Sequence, residues 1–238
     1  MPIDLISAVD TIPGFTYIFY ENSDKTGLLS GSVVTFIPPK DDYYVIATNG
    51  KCEGIMNKII LKDPCPETIK DDEDNVYKVT SLSGKCWTEN LRTPVIDDIP
   101  FGGTYTCSGC PAQLDTIFGL LYTWYAAINI CPDGWRIPTQ AEWSLLQVYP
   151  ASQLKSTKYW LAPQFPGTDD YGFTALPAGW YNSATGRFED LYGFAGWWAS
   201  DTPDGTTANY SYITYYCDAL QQGKKKRSDG LSVRCVME

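Results

Sequence analysis

The sequence contains no histidine. That removes the Ser-His-Asp triad, the Cys-His dyad, imidazole base chemistry and every His-ligated metal site. Carboxylate pairs, thiols and oxygen-ligated Ca²⁺ are what remain. No stretch is long and apolar enough to span a bilayer. The first residues, MPIDLISAVDTIPGF, lack the basic n-region and long apolar h-region of a secretory signal. Positive charge is scarce: 18 Lys+Arg stand against 28 Asp+Glu, a net charge of −10. Such a surface repels phosphate backbones and anionic lipid, so neither nucleic acid nor a membrane is expected as a partner.

Aromatic residues, by contrast, are abundant at 14%, with Tyr 17 and Trp 8. That exceeds what a core requires, and Tyr and Trp are the residues that bind well at surfaces. Eight cysteines are present: Cys52, Cys65, Cys86, Cys107, Cys110, Cys131, Cys217 and Cys235. An even, high count argues for an oxidising final location. Two routes there are open: a signal already removed, or assembly into a phage particle released by lysis. A length of 238 residues holds one large domain or two small ones.

Residues 1–64 read as all-β. GFTYIFYEN, SVVTFIP and DYYVIAT are strand patterns separated by turn residues, and NGKCEGIMNKIIL adds a turn and a strand. Short strands at this spacing predict a small β-sandwich. Residues 65–75, with Pro66 and the acidic run Asp71 to Asp74, read as an acidic linker. The run could hold Ca²⁺, but it lacks the alternating spacing and central Gly of an EF-hand loop. From Val76 onward Gly and Trp become frequent. PTQAEWSLLQVY predicts a helix capped by Thr139, with Glu142 at capping-box spacing and Trp143, Leu146 and Leu145 as its buried stripe. Ile117, Leu120, Leu121 and Trp124 recur at helical intervals and predict a second helix in LDTIFGLLYTWYAAIN. After Tyr149 the chain reads as loops and short strands.

Five motifs occur in order: VYKVTSLSGKCWTENLR, CPDGWRIPTQAEWSLL, FTALPAGWYNSATGRF, GFAGWWASD and GLSVRCVME. Together they resemble the Fibrobacter succinogenes major paralogous domain over roughly residues 76–238. The resemblance implies a fold akin to C-type lectins and to formylglycine-generating enzymes: α+β, with few helices and a mixed, mostly antiparallel sheet. It also implies a tendency to bind ligands and a disulfide from Cys131 to Cys235. YYVIATNGKCEGIMNKIIL resembles, more loosely, the closing strands of bacterial immunoglobulin-like modules. In this setting CPDGWRIPTQAEW is a scaffold hinge: a tight turn, a strand ended by Pro138, a cap at Thr139, and Trp135 and Trp143 filling the core.

Several candidate sites stand beside blander readings. Cys107 and Cys110 have C-x-x-C spacing but no further ligands for zinc, so they read as half-cystines of a loop, with Cys52 and Cys65 as further disulfide candidates. Cys217 and Cys235 are too far apart in sequence to match the oxidase's close pair. Glu189 and Asp190 read as surface turn residues, because glycosidase carboxylates need a partner across a cleft. Lys224 to Arg227 reads as a solvated loop, or as a contact for an anionic glycan or acidic partner. In TTANYSYITYYCDALQQ a strand would place Tyr210, Tyr212 and Tyr216 on one face, with Ile213 and Tyr215 on the other. Tyr among Ser, Asn and Asp has paratope chemistry, although a sheet packed with tyrosines has the same pattern. With Asp218, Trp180 and Tyr181 these tyrosines form the expected ligand-binding set. Of Trp197 and Trp198, one is expected in the core and the other could stack on a sugar.

The expected protein is a non-enzymatic structural or binding protein: an immunoglobulin-like spacer, a linker and a lectin-like binding domain. A phage virion-surface protein (head fibre, decoration or tail-associated) comes first, and a secreted bacterial adhesin or glycan-binding module second. A formylglycine-type oxidase is the remote third. The expected partners are a cell-surface glycan or protein, capsid or fibre proteins if virion-borne, and further copies of the chain. No cofactor is expected, and Ca²⁺ is the one metal the sequence would accommodate.

Overall fold

The structure, a computed structural model, describes residues 2–11, 13, 15–35, 42–51, 53–60, 65–94, 104–105, 113–161 and 164–238. The chain divides into two units, Met1–Pro64 and Cys65–Glu238.

The first unit is built of β1 (Pro2–Asp4), β2 (Thr16–Tyr20), β3 (Val33–Thr35), β4 (Asp42–Thr48) and β5 (Asn57–Ile60). β2, β4 and β5 form an antiparallel sheet, and β1 pairs separately with β3. Alternation selects its core. Phe19 lies opposite Val45 and Tyr43 opposite Ile59. All four are buried around Leu5. Cross-strand pairs of this kind are what hold a small sheet.

In the second unit β6 (Thr68–Lys70), β7 (Val76–Leu82) and β8 (Lys85–Thr88) are followed by β9 (Thr104–Tyr105), α1 (Gln113–Phe118), β10 (Leu121–Tyr122), α2 (Trp124–Ala127), β11 (Trp135–Arg136), α3 (Gln140–Ser144) and α4 (Ala151–Leu154). Then come β12 (Trp180–Asn182), β13 (Arg187–Glu189), β14 (Phe194–Trp198), β15 (Thr207–Thr214), β16 (Gln221–Lys226) and β17 (Val236–Met237). One sheet runs in the order β11-β17-β8-β7-β6, and a second is β14-β15-β16. The strand pairings are antiparallel and the described helices short. The chain is thus mostly β with few helices, as expected.

Residues 65–75 are not a linker. They form β6 and its turn into β7, and a disulfide ties Cys65 to Cys86 on β8. Asp71 organises the turn. Its carboxylate accepts hydrogen bonds from the amides of Glu73 and Asn75, the Asn75 side chain and the hydroxyls of Tyr77 and Thr93. Burial works against that charge, but the donated hydrogen bonds outweigh it and hold the carboxyl at about 2.

The capping box at Thr139 and Glu142 is present. Glu142 also takes a bidentate pair from Arg136, at 2.8 Å on both arms, and an ion pair from Lys85 at 3.0 Å. The Arg136 hydrogen bonds hold its carboxyl well below the usual range. Trp143 and Leu146 are fully buried, but Leu145 is 43% exposed. The α-helix ends at Ser144 and tightens to a 3₁₀ turn over Leu145–Val148, which rotates Leu145 off the core.

The second expected helix is interrupted. Gly119 ends α1 at φ +78°, and a Cβ there would stand 2.6 Å from the Leu91 carbonyl. Leu120 then donates to that carbonyl and Tyr122 to Leu231, which draws the chain into β10 before α2 begins. Neighbouring strands override the helical periodicity here. After Tyr149 the short helix α4 and the eight-residue β15 go beyond loops and short strands.

Two apolar clusters fill this unit, one on each face of β14. Ala195 and Trp197 join Trp87, Trp143 and Phe173. Phe194 and Trp198 join Tyr77, Tyr122 and Cys235. Cys131 is bonded to Cys235, 104 residues on. Arg234, 1% exposed, spans the interior: its guanidinium donates to Asn90 Oδ1, the Phe173 carbonyl and the Thr174 carbonyl, and lies 4.1 Å from the Phe173 ring.

Candidate functional site

β14, β15 and β16 place alternate residues on each face. Register sets Phe194 opposite Thr214, Tyr212 opposite Gln221, Tyr210 opposite Gly223 and Ala208 opposite Lys225. On the other face Ser211 accepts from Gln140 of α3, and Ile213 is buried in the core. The first face is the candidate site.

Three rings form a row there. Phe194 stacks on Tyr212 with centroids 5.4 Å apart, and Tyr212 on Tyr210 at 5.2 Å. Gly223 is required by close approach: a Cβ would stand 2.8 Å from the Tyr210 ring. Lys225 lies beside the row. Its Nζ is 2.8 Å from the Trp180 centroid, 5.6 Å from that of Tyr210 and 6.0 Å from that of Phe194. Trp180 is held by its indole N–H, which donates to Asp190 at 3.1 Å. Burial pushes the Lys225 ammonium down to about 8, opposed by the charges of Asp229, Glu189 and Asp190. The ring faces also favour the cation, so the group stays charged at neutral pH. Burial likewise lifts the Tyr210 phenol to about 12. Among the described residues, the hydroxyls of Tyr210 and Tyr212 have no hydrogen-bond partner, and Lys225 makes no ion pair.

Trp180, Tyr210 and Tyr212 of the expected set are thus brought together. The others are not. Tyr216 lies beyond the end of β15, 58% exposed, rather than on the strand. Asp218 turns inward, where its carboxylate accepts from the Ser152 amide at 2.6 Å and the Ser152 hydroxyl at 3.3 Å and so fastens α4. Tyr181 packs edge-on against Phe188 within the β12–β13 hairpin. Sequence reasoning missed Phe194, and it weighed Lys225 only as part of the basic run, not beside the tyrosines. Lys224 to Arg227 is no loop: Lys224, Lys225 and Lys226 lie within β16, and pairing alternates them so that the middle lysine alone faces the shelf. The alternation of QQGKKK opposite a tyrosine strand was the available signal.

Trp197 and Trp198 are both fully buried, their indoles donating to Asn90 and to the Tyr122 carbonyl. Neither is open to a sugar, because successive residues of β14 point into the two cores. Glu189 accepts from Asn182 and Thr185 within its own hairpin. Cys235 is paired with Cys131, and Cys217 is a free thiol. Cys52, Cys107 and Cys110 lie outside the described residues. Among the described residues no cluster of acidic and cysteine side chains gathers as metal ligands would, and no helix is long and apolar enough to cross a membrane.

Fold and site together define a disulfide-braced, β-rich domain with a half-buried aromatic row on a three-stranded sheet. The family model described as the Fibrobacter succinogenes major domain matches residues 73–237, and the chain belongs to that family. No curated protein and no solved structure matches the chain.

Proposed function

We propose that the chain is a non-enzymatic binding protein whose C-terminal unit is a lectin-like module that takes a cell-surface glycan on the Trp180–Tyr210–Tyr212 shelf. The N-terminal unit serves as an immunoglobulin-like spacer. The setting is a virion or bacterial surface, since the Cys65–Cys86 and Cys131–Cys235 disulfides suit an oxidising medium. The shelf itself carries the reading. The half-buried row offers apolar ring edges to the C–H groups of a sugar, and phenol hydroxyls with an ammonium supply donors to its hydroxyls.

The test is a glycan array probed with the full chain and with Tyr212→Ala. Retention on a defined set of glycans, lost in the variant with near-ultraviolet circular dichroism preserved, is the expected result. A variant that binds the same glycans as the parent would move the site elsewhere.

A further inference from the structure

We propose that Asn49 is a modification site built into the turn after β4, where the Gly50 nitrogen closes on the Asn49 carboxamide and converts the residue to aspartate and isoaspartate. The site belongs to the N-terminal unit and is independent of the aromatic row. Asn49–Gly50 is the one asparagine–glycine pair in the chain. Both residues are exposed, in the turn closed by the bridge from Thr48 to Glu53. The Lys51 amide donates to Asn49 Oδ1 at 3.0 Å, which folds the carboxamide back over the Gly50 peptide. The same donor sits on the oxygen that gains negative charge when the Gly50 nitrogen adds to Cγ. The Gly50 N–H donates to Thr48 Oγ1 at 3.1 Å, so the proton that must leave already points at an acceptor. Gly50 is at φ +81°, and no atom lies within 4 Å of where a Cβ would be, so the attacking nitrogen is unshielded.

The step uses only this chain and water. A bond forms from the Gly50 nitrogen to Asn49 Cγ. The proton taken from that nitrogen passes by way of Thr48 Oγ1 and water to Nδ2, which leaves as ammonia. The product is a cyclic succinimide. Water adds to either of its carbonyls: opening one way gives aspartate, and opening the other gives isoaspartate, whose main chain runs through the former side chain. Either product puts a carboxylate where an amide stood, in a chain already at net charge −10. Other asparagines are held differently. Asn90 is buried and bonded to the Phe118 carbonyl, and Asn75 is tied to Asp71. Asn182 comes nearer: Ala184 donates to its Oδ1 at 3.0 Å, and the Ser183 amide has an acceptor in Asp229. But it lies within β12, its Nδ2 donates to Glu189 at 2.9 Å, and serine rather than glycine follows it.

The test is incubation of the full chain at mildly alkaline pH, folded and in urea. Isoaspartate is located by peptide mapping and by labelled methyl transfer from an isoaspartyl methyltransferase. The expected result is isoaspartate at Asn49 about tenfold faster than at Asn182, and in the folded chain at least as fast as in the unfolded one. Thr48→Val removes the acceptor and keeps the shape of the side chain. It should slow the folded chain several-fold and leave the rate in urea unchanged. A folded chain that keeps Asn49 intact while the unfolded chain loses it overturns the proposal, because the turn then protects the residue. A folded Thr48→Val protein that reacts at the parent's rate overturns it as well, because the turn then contributes nothing.

Discussion

Replacing Arg234 with leucine should destabilise the C-terminal unit by about 3–5 kcal/mol, as for removal of one member of a buried polar set. The guanidinium is held by neutral acceptors alone: Asn90 Oδ1 at 2.9 Å, the Phe173 carbonyl at 2.6 Å and the Thr174 carbonyl at 2.9 Å. Burial pulls its pKa down to about 10, so it remains charged at neutral pH. Leucine removes the donors but not the acceptors. Asn90 keeps its bond from the Trp197 indole, while the buried Phe173 carbonyl and the part-buried Thr174 carbonyl lose their donors. Each orphan costs roughly 1–3 kcal/mol, and leucine refills the space only in part. For a unit of this size that is a fall of about 6–20 °C in melting temperature. Lysine in place of Arg234 keeps the charge, but its single head cannot span three acceptors, so it should lie between the two. Thermal and urea unfolding followed by tryptophan fluorescence measure the series. An Arg234→Leu protein within about 1 kcal/mol of the parent would refute the reasoning, because orphaned carbonyls cannot then be what the arginine prevents.

Changing Cys131 and Cys235 together to alanine should lower stability by about 4–5 kcal/mol in urea, the loop-closure value for a 104-residue separation. Thr139→Ala should cost about 1 kcal/mol by opening the capping box, read from the same transition. Asp71 has a folded pKa of about 2 against an ordinary 3.8, so its stabilisation is full above about pH 4 and lost as pH falls through 2. The stability gap between the parent and Asp71→Asn should therefore close over that window in acid titrations of the unfolding midpoint. Peptide mapping after iodoacetamide treatment of the folded protein should find Cys217 alkylated and Cys65, Cys86, Cys131 and Cys235 untouched.

Local chemistry was legible wherever a few adjacent residues decide the outcome. Thr139 and Glu142 are three apart and form their capping box regardless of the rest of the chain. The five ordered motifs led to the family and, through it, to the Cys131–Cys235 bond. What failed depends on partners distant in sequence. The acidic run became a hairpin because Tyr77 and Thr93 reach back to Asp71, which no local composition announces. The helix expected after Leu114 broke at Gly119 because the Leu91 carbonyl occupies the space of a side chain. Trp180, Tyr210 and Tyr212 were singled out by residue type, and the structure brings the three together around Lys225. Lys225 was not singled out, because a charge run reveals its inward member only once the pairing register with β15 is known.

Hydroxyl-radical footprinting of tyrosine and tryptophan, with and without a glycan retained on the array, tests the central claim most directly. It reads each ring separately in the unmodified chain. The account predicts protection of Trp180, Tyr210 and Tyr212 when the glycan is bound, with Trp197 and Trp198 unreactive in both states. Protection confined to the N-terminal unit, or a shelf equally oxidised with and without the glycan, would contradict it.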